Sequence, residues 1–139
     1  MNTVHEKWFQ GVVLLSAVYL VVGFGFGEFA NLSATIQIRN FWRLAAWAVS
    51  AVAYLAHIWY EHFRLHSSPR ATAIHTSSSA AVASFGLAVA ANVHAQFVTS
   101  NNPTMLALSL ALWPLLTLIP AFAVAFIIAS GLKRWWRKE

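Results

Sequence analysis

The densest polar chemistry in this chain is the run His57-Ile58-Trp59-Tyr60-Glu61-His62-Phe63-Arg64-Leu65-His66, followed by Arg70 and His75. Imidazoles and a carboxylate can bind a metal, ligate a haem, pass protons or simply hold one another in place. His57 and Glu61 stand four apart, the spacing that sets two side chains on one helical face. His62 and His66 repeat that spacing on a face turned well away from the first. Counting back from a turn at Ser67-Ser68, His75 reaches the depth of Glu61 and lies within about 5 Å of His57 along the axis, at the helical rise per residue. A hairpin of two helices would therefore bring His57, Glu61 and His75 together.

Several chemistries compete for this group, and the structural one leads. In it, Glu61 pairs with Arg64 or Arg70 and the histidines rest at a wet interface. The second is a metal site, since two imidazoles and one carboxylate (His57, Glu61, His75) with open positions suit Zn or non-haem Fe. The third is a haem b held between His57 and His75 on facing helices, although their unequal depth counts against it. A proton relay is the remaining chemistry, because histidine titrates near neutral pH.

A second polar group gathers toward the other end of the helices: Glu28, Arg43, Asn92, His94 and Gln96. Ionisable residues inside a membrane are costly and face the bundle or a partner. A Glu28–Arg43 pair with His94 completing the network is the simplest expectation. A headgroup, quinone or substrate pocket is the functional alternative. Tyr19 and Tyr54 read as packing residues with spare hydroxyls.

The elements that must position these groups are apolar. Hydrophobic residues make up 59% of the chain and charged residues only 9%, far below the quarter or so that a water-exposed surface carries. A spanning helix needs roughly 20 apolar residues, and such stretches occur at about 8–30, 41–60, 76–98 and 105–130. The first is too long for the apolar core of a signal peptide and reads as a span. Together they make residues 1–139 a single four-helix transmembrane domain. The fold class expected is an all-α integral membrane protein, an up-down-up-down bundle, because short connections favour antiparallel neighbours.

Punctuation supports these spans. Thr3 and Glu6 have capping-box spacing, so the first helix is expected to begin near Val4. Ser68-Pro69 and Asn102-Pro103 each read as an N-cap followed by proline in the first turn. The link between the second and third helices is then only Ser67 and Ser68, and the longest link is 31–40.

Orientation follows from the basic residues. With a cytoplasmic N-terminus, that side holds Lys7, Arg64, Arg70, Lys133, Arg134, Arg137 and Lys138, against Arg39 and Arg43 opposite. That bias places both termini in the cytoplasm of a multi-pass cell (inner) membrane protein. Trp8, Trp59, Trp135 and Trp136 fall at the inner interface, Phe41 and Trp42 at the outer one, as an aromatic belt requires. The basic, tryptophan-containing run Lys133–Lys138 is expected to meet anionic lipid headgroups. In a membrane the net charge of +5 marks topology, and no nucleic-acid partner is expected.

Small residues should let helices approach closely. They include Gly23, Gly25 and Gly27 in the first helix, and Ser79, Ala80, Ala83, Ser84, Gly86, Ala90 and Ala91 in the third. The third helix is expected to be the most enclosed. Pro114 and Pro120 lie inside the fourth and should bend it; Ser109 and Thr117 stand ready to satisfy freed carbonyls. There is no cysteine, so thiol chemistry is excluded. No phosphate loop, zinc-protease helix or nucleophile elbow is visible. The function expected is a non-catalytic subunit or interaction partner in a membrane complex, with other membrane subunits or copies of itself as partners. A haem- or metal-binding redox protein and an oligomeric small transporter or proton-coupled channel are the alternatives.

Overall fold

The computed structural model describes residues 4–97 and 102–136. They form four helices: α1 Val4–Asn31, α2 Ile36–Phe63, α3 Pro69–Ala95 and α4 Pro103–Trp136. All four are long and apolar enough to cross a membrane. This makes the chain a multi-pass membrane protein by length and composition.

Two of the helix starts follow local chemistry visible in the sequence. Ser68 accepts a hydrogen bond from the Ala71 amide at 3.2 Å, and Pro69 opens α3. Asn102 Oδ1 accepts from the Thr104 amide at 3.0 Å ahead of α4. The capping pair expected at Thr3 lies outside the described residues, although α1 does begin at Val4.

α2 starts earlier than its apolar stretch, at Ile36, where Thr35 Oγ1 accepts from the Ile38 amide at 3.3 Å. The link before it is therefore 32–35 rather than 31–40. Hydropathy marks the lipid-embedded part of a helix, while its polar extension obeys the cap. The α2–α3 link is longer than expected, running from 64 to 68. His66 adopts a left-handed conformation there (φ 52°). That geometry lets the chain fold back so that the Ser67 amide reaches the Glu61 carbonyl at 3.1 Å. Since α2 ends at Phe63, His66 is not a helical partner of His62.

α3 is the hub. It packs along α4 and along α1, while α1 pairs with α2. α2 meets α3 and α4 much less, and α1 and α4 do not touch among the described residues. Around the bundle the order is thus α1, α2, α4, α3, with the α2–α4 edge the thinnest. Tyr54 reinforces that edge: its hydroxyl donates to the Ala121 carbonyl at 2.7 Å and lies 3.3 Å from Thr76 Oγ1. A residue expected only to pack therefore ties three helices together.

α1 and α3 run in the same sense and interlock. Ser16 Oγ lies 3.0 Å from the Ser79 carbonyl and 2.7 Å from that of Val12. Further along, Leu20 sits over Gly86 and Leu87 over Gly23, so tightly that a Cβ at Gly86 would lie 2.8 Å from Leu20 Cδ2 and one at Gly23 3.0 Å from Leu87. Gly23 therefore serves packing within the chain. Among the described residues, Gly25 and Gly27 have nothing within 4 Å of where a Cβ would stand.

The interior is small and polar, and the exterior is large and apolar. Thr72, Ala73, Thr76, Ser77 and Ser79 of α3 are fully enclosed, whereas Trp47 is 78% and Ile119 67% exposed. In water such a surface would aggregate; in lipid it is the expected one, because helices there associate through close packing of small residues. The buried hydroxyls mostly return to a carbonyl of their own helix, as Thr76 does to Thr72 at 2.9 Å and Ser79 to His75 at 3.1 Å. α4 is helical through Pro114 and Pro120. Ser109 and Thr117 bind the carbonyls of Leu106 and Trp113, not those of Leu110 and Leu116, which the prolines release. The reason is register: a helical hydroxyl reaches back three or four residues.

Candidate functional site

The α2–α3 hairpin brings the three residues His57, Glu61 and His75 together. Glu61 is 1% exposed, near the end of α2. Its Oε2 accepts a hydrogen bond from Ser67 Oγ at 2.9 Å and stands 2.9 Å from His75 Nδ1. Its Oε1 stands 3.8 Å from His57 Nε2, one turn back on the same helix. One carboxylate thus bridges two imidazoles from different helices. Trp8 of α1 covers His75, with ring centroids 4.8 Å apart and planes 44° apart. The group is therefore closed by three helices and the hairpin turn.

Glu61 does not pair with either arginine expected for it. Arg64 and Arg70 are both exposed, and among the described residues the ion pairs all involve Glu61 with His57 or His75. The reason is position. Arg64 follows the last residue of α2 and Arg70 sits in the exposed first turn of α3, so each can stay hydrated. Ser67 takes the role instead, because the left-handed turn at His66 folds it back over the carboxylate. No sequence spacing signals this contact, which exists only once the turn has formed.

The geometry is that of a carboxylate shared by hydrogen bonding. Among the described residues, no three His, Asp or Glu side chains are grouped so as to hold a metal ion. His57, Glu61 and His75 do meet, but the carboxylate is hydrogen-bonded to His75 and Ser67, while His57 Nε2 stands 3.8 Å from Oε1. What the arrangement offers chemically is a buried acceptor that orders His75, with a second imidazole close by.

His57 is only 2% exposed, and neither of its ring nitrogens has a hydrogen-bond partner among the described residues. It borders a cleft of about 440 Å³ between α1 and α2. A second cleft, of about 550 Å³, lies at the α2–α3 turn and is lined by His62, His66, Ser68 and Lys133 among others.

The other polar group is dispersed. Glu28, Arg43 and His94 are all exposed, and no Glu28–Arg43 ion pair forms among the described residues. Both side chains are exposed, and pairing of exposed charges contributes little. Asn92 acts separately: its amide donates to the carbonyls of Ala88 at 2.8 Å and Leu106 at 2.9 Å, with Ser109 Oγ at 3.1 Å. It fastens α3 to α4. Gln96 caps α3 through its backbone amide.

No family model matches this chain, and neither a curated protein nor a solved structure matches it.

Proposed function

We propose that this chain is a non-catalytic subunit or interaction partner of a membrane complex in the cell (inner) membrane. It crosses up-down-up-down with both termini in the cytoplasm. Contact registers support alternating directions: Ser16 meets Ser79 on α1 and α3, while Asn92 meets Leu106 on α3 and α4. The excess of Lys and Arg at the hairpin and C-terminal end supports the orientation. Lys133 lines the cleft at the α2–α3 turn, which supports anionic headgroups as its lipid partners.

The observation that carries the subunit reading is the unequal use of close-packing surface. Gly23 and Gly86 are filled by leucines of this chain, whereas Gly25 and Gly27 face open space. Helices in lipid gain most from backbones that approach closely, so a partner helix fits that stretch of α1. The ionisable group, by contrast, is folded into the α2–α3 hairpin and leaves no charged path through the depth of the bundle.

A tagged chain drawn from its native membrane in mild detergent should bring a stoichiometric membrane partner with it. Gly27→Leu should weaken that association at least about tenfold, the equivalent of about 1.4 kcal/mol. It should change the stability of the isolated bundle by no more than about 0.5 kcal/mol, as for a surface position. Strictly monomeric protein in native nanodiscs, with no partner recovered, contradicts the proposal.

A further inference from the structure

We propose that the α1–α2 cleft binds a neutral amphipathic lipid whose hydroxyl or carbonyl head hydrogen-bonds His57. This goes beyond the subunit reading and does not depend on it. The cleft measures about 440 Å³ and is lined by Gln10, Gly11, Leu14, Ala53, His57 and Tyr60, among others. That volume is in the range of small-molecule sites, which combine apolar walls with a few convergent polar groups.

His57 supplies the recognition. A neutral imidazole carries one donor and one acceptor, and neither nitrogen of this buried ring has a hydrogen-bond partner among the described residues. Leaving such groups unmatched is costly, so a ligand that matches them binds where bulk lipid does not. Gly11 lines the cleft beside the ring: a Cβ there would stand 3.9 Å from Nε2, at ordinary contact distance. Leu14 and Ala53 lie one turn from Gly11 and His57, respectively, away from the Glu61 end, and supply an apolar track for a chain or ring. Glu61 sets the charge of the head. Its Oε1 lies 3.8 Å from His57 Nε2 and has no hydrogen-bond partner, so a carboxylate or phosphate head would meet a like charge. A hydroxyl or carbonyl avoids that cost, and a hydroxyl can also donate to one of these acceptors. Lipid alcohols and isoprenoid-type quinols share this chemistry.

The test uses the full chain in phosphatidylcholine nanodiscs with ¹⁵N-labelled histidine. Three probes with the same chain length are titrated: 1-decanoylglycerol, a decyl-substituted benzoquinol and decanoate. At least one neutral probe should shift the His57 ring nitrogens saturably, and the tighter of the two identifies the source. Decanoate should bind at least about tenfold more weakly, the equivalent of about 1.4 kcal/mol of like-charge repulsion. Gly11→Leu, which fills the cleft, should abolish the shift. His57→Phe, followed by calorimetry, should lose binding if Gly11→Leu does not fold. Absence of a saturable shift with both neutral probes overturns the assignment. So does undiminished binding in His57→Phe, or decanoate binding as tightly as the neutral probes.

Discussion

Glu61→Ala should destabilise the bundle by about 3–5 kcal/mol, because two hydrogen-bond donors lose their acceptor at about 1–3 kcal/mol each and a fully buried side chain leaves a void. The carboxylate is 1% exposed and holds Ser67 Oγ and His75 Nδ1 at 2.9 Å each. Its loss leaves Ser67 Oγ and His75 Nδ1 without their acceptor, frees the hairpin turn and leaves a void where a fully buried side chain stood. For a chain of this size that corresponds to a thermal midpoint lowered by roughly 10 °C or more, readable by thermal unfolding in nanodiscs. Glu61→Gln keeps one acceptor oxygen and should lose about half as much. Arg64→Ala and Arg70→Ala should each change stability by less than about 0.5 kcal/mol, since both side chains are exposed. If either arginine proves as costly as Glu61, the carboxylate is held by an arginine and the assignment of its partners is wrong.

Gly86→Leu should be comparably severe, for a different reason. Even a single Cβ at this position would approach Leu20 Cδ2 to 2.8 Å, and a leucine adds three further carbons behind it. Overpacking of a filled interface costs about 1–3 kcal/mol. Here the contact is the α1–α3 seam itself, so the upper end of that range is expected. Leu20→Ala in the same chain removes the obstruction. The double variant should recover at least about 1 kcal/mol relative to the sum of the singles, because touching residues couple. Thermal unfolding of the four proteins in one lipid composition measures that coupling directly. Strict additivity would mean that Leu20 and Gly86 do not touch.

These two sites show what a linear reading can and cannot see. Long apolar stretches marked the helices, since a helix in lipid must be apolar on most of its surface, and Ser68-Pro69 and Asn102-Pro103 marked two starts because caps are local. The meeting of His57, Glu61 and His75 was legible too, because a short turn fixes the relative depth of two helices. The partners of Glu61 were not. Choosing Ser67 and His75 over Arg64 and Arg70 depends on a left-handed residue at position 66, and histidine, though enriched in that conformation, adopts it too rarely to announce the turn. Likewise, Gly23 and Gly86 were visible as small residues, but which leucine fills each depends on helix order around the bundle. That order, with α3 against α1 more than against α2, is set by many weak contacts summed over whole faces. Glu28 and Arg43 misled for a related reason: closeness to a common helix end says nothing about whether water outcompetes pairing.

Four crossings should place the Glu61 hairpin and the C-terminus on one side, with the α1–α2 and α3–α4 links on the other. The chain contains no cysteine, so single cysteines can be introduced against a silent background at exposed Ala34, Arg64, Phe97 and Lys133. Labelling of sealed cells and of inverted vesicles with a membrane-impermeant maleimide reads each side separately. Cysteines at 34 and 97 should label only from outside, and those at 64 and 133 only from the cytoplasmic face. Labelling of 34 and 64 from the same side would contradict the four-crossing arrangement and the orientation built on it.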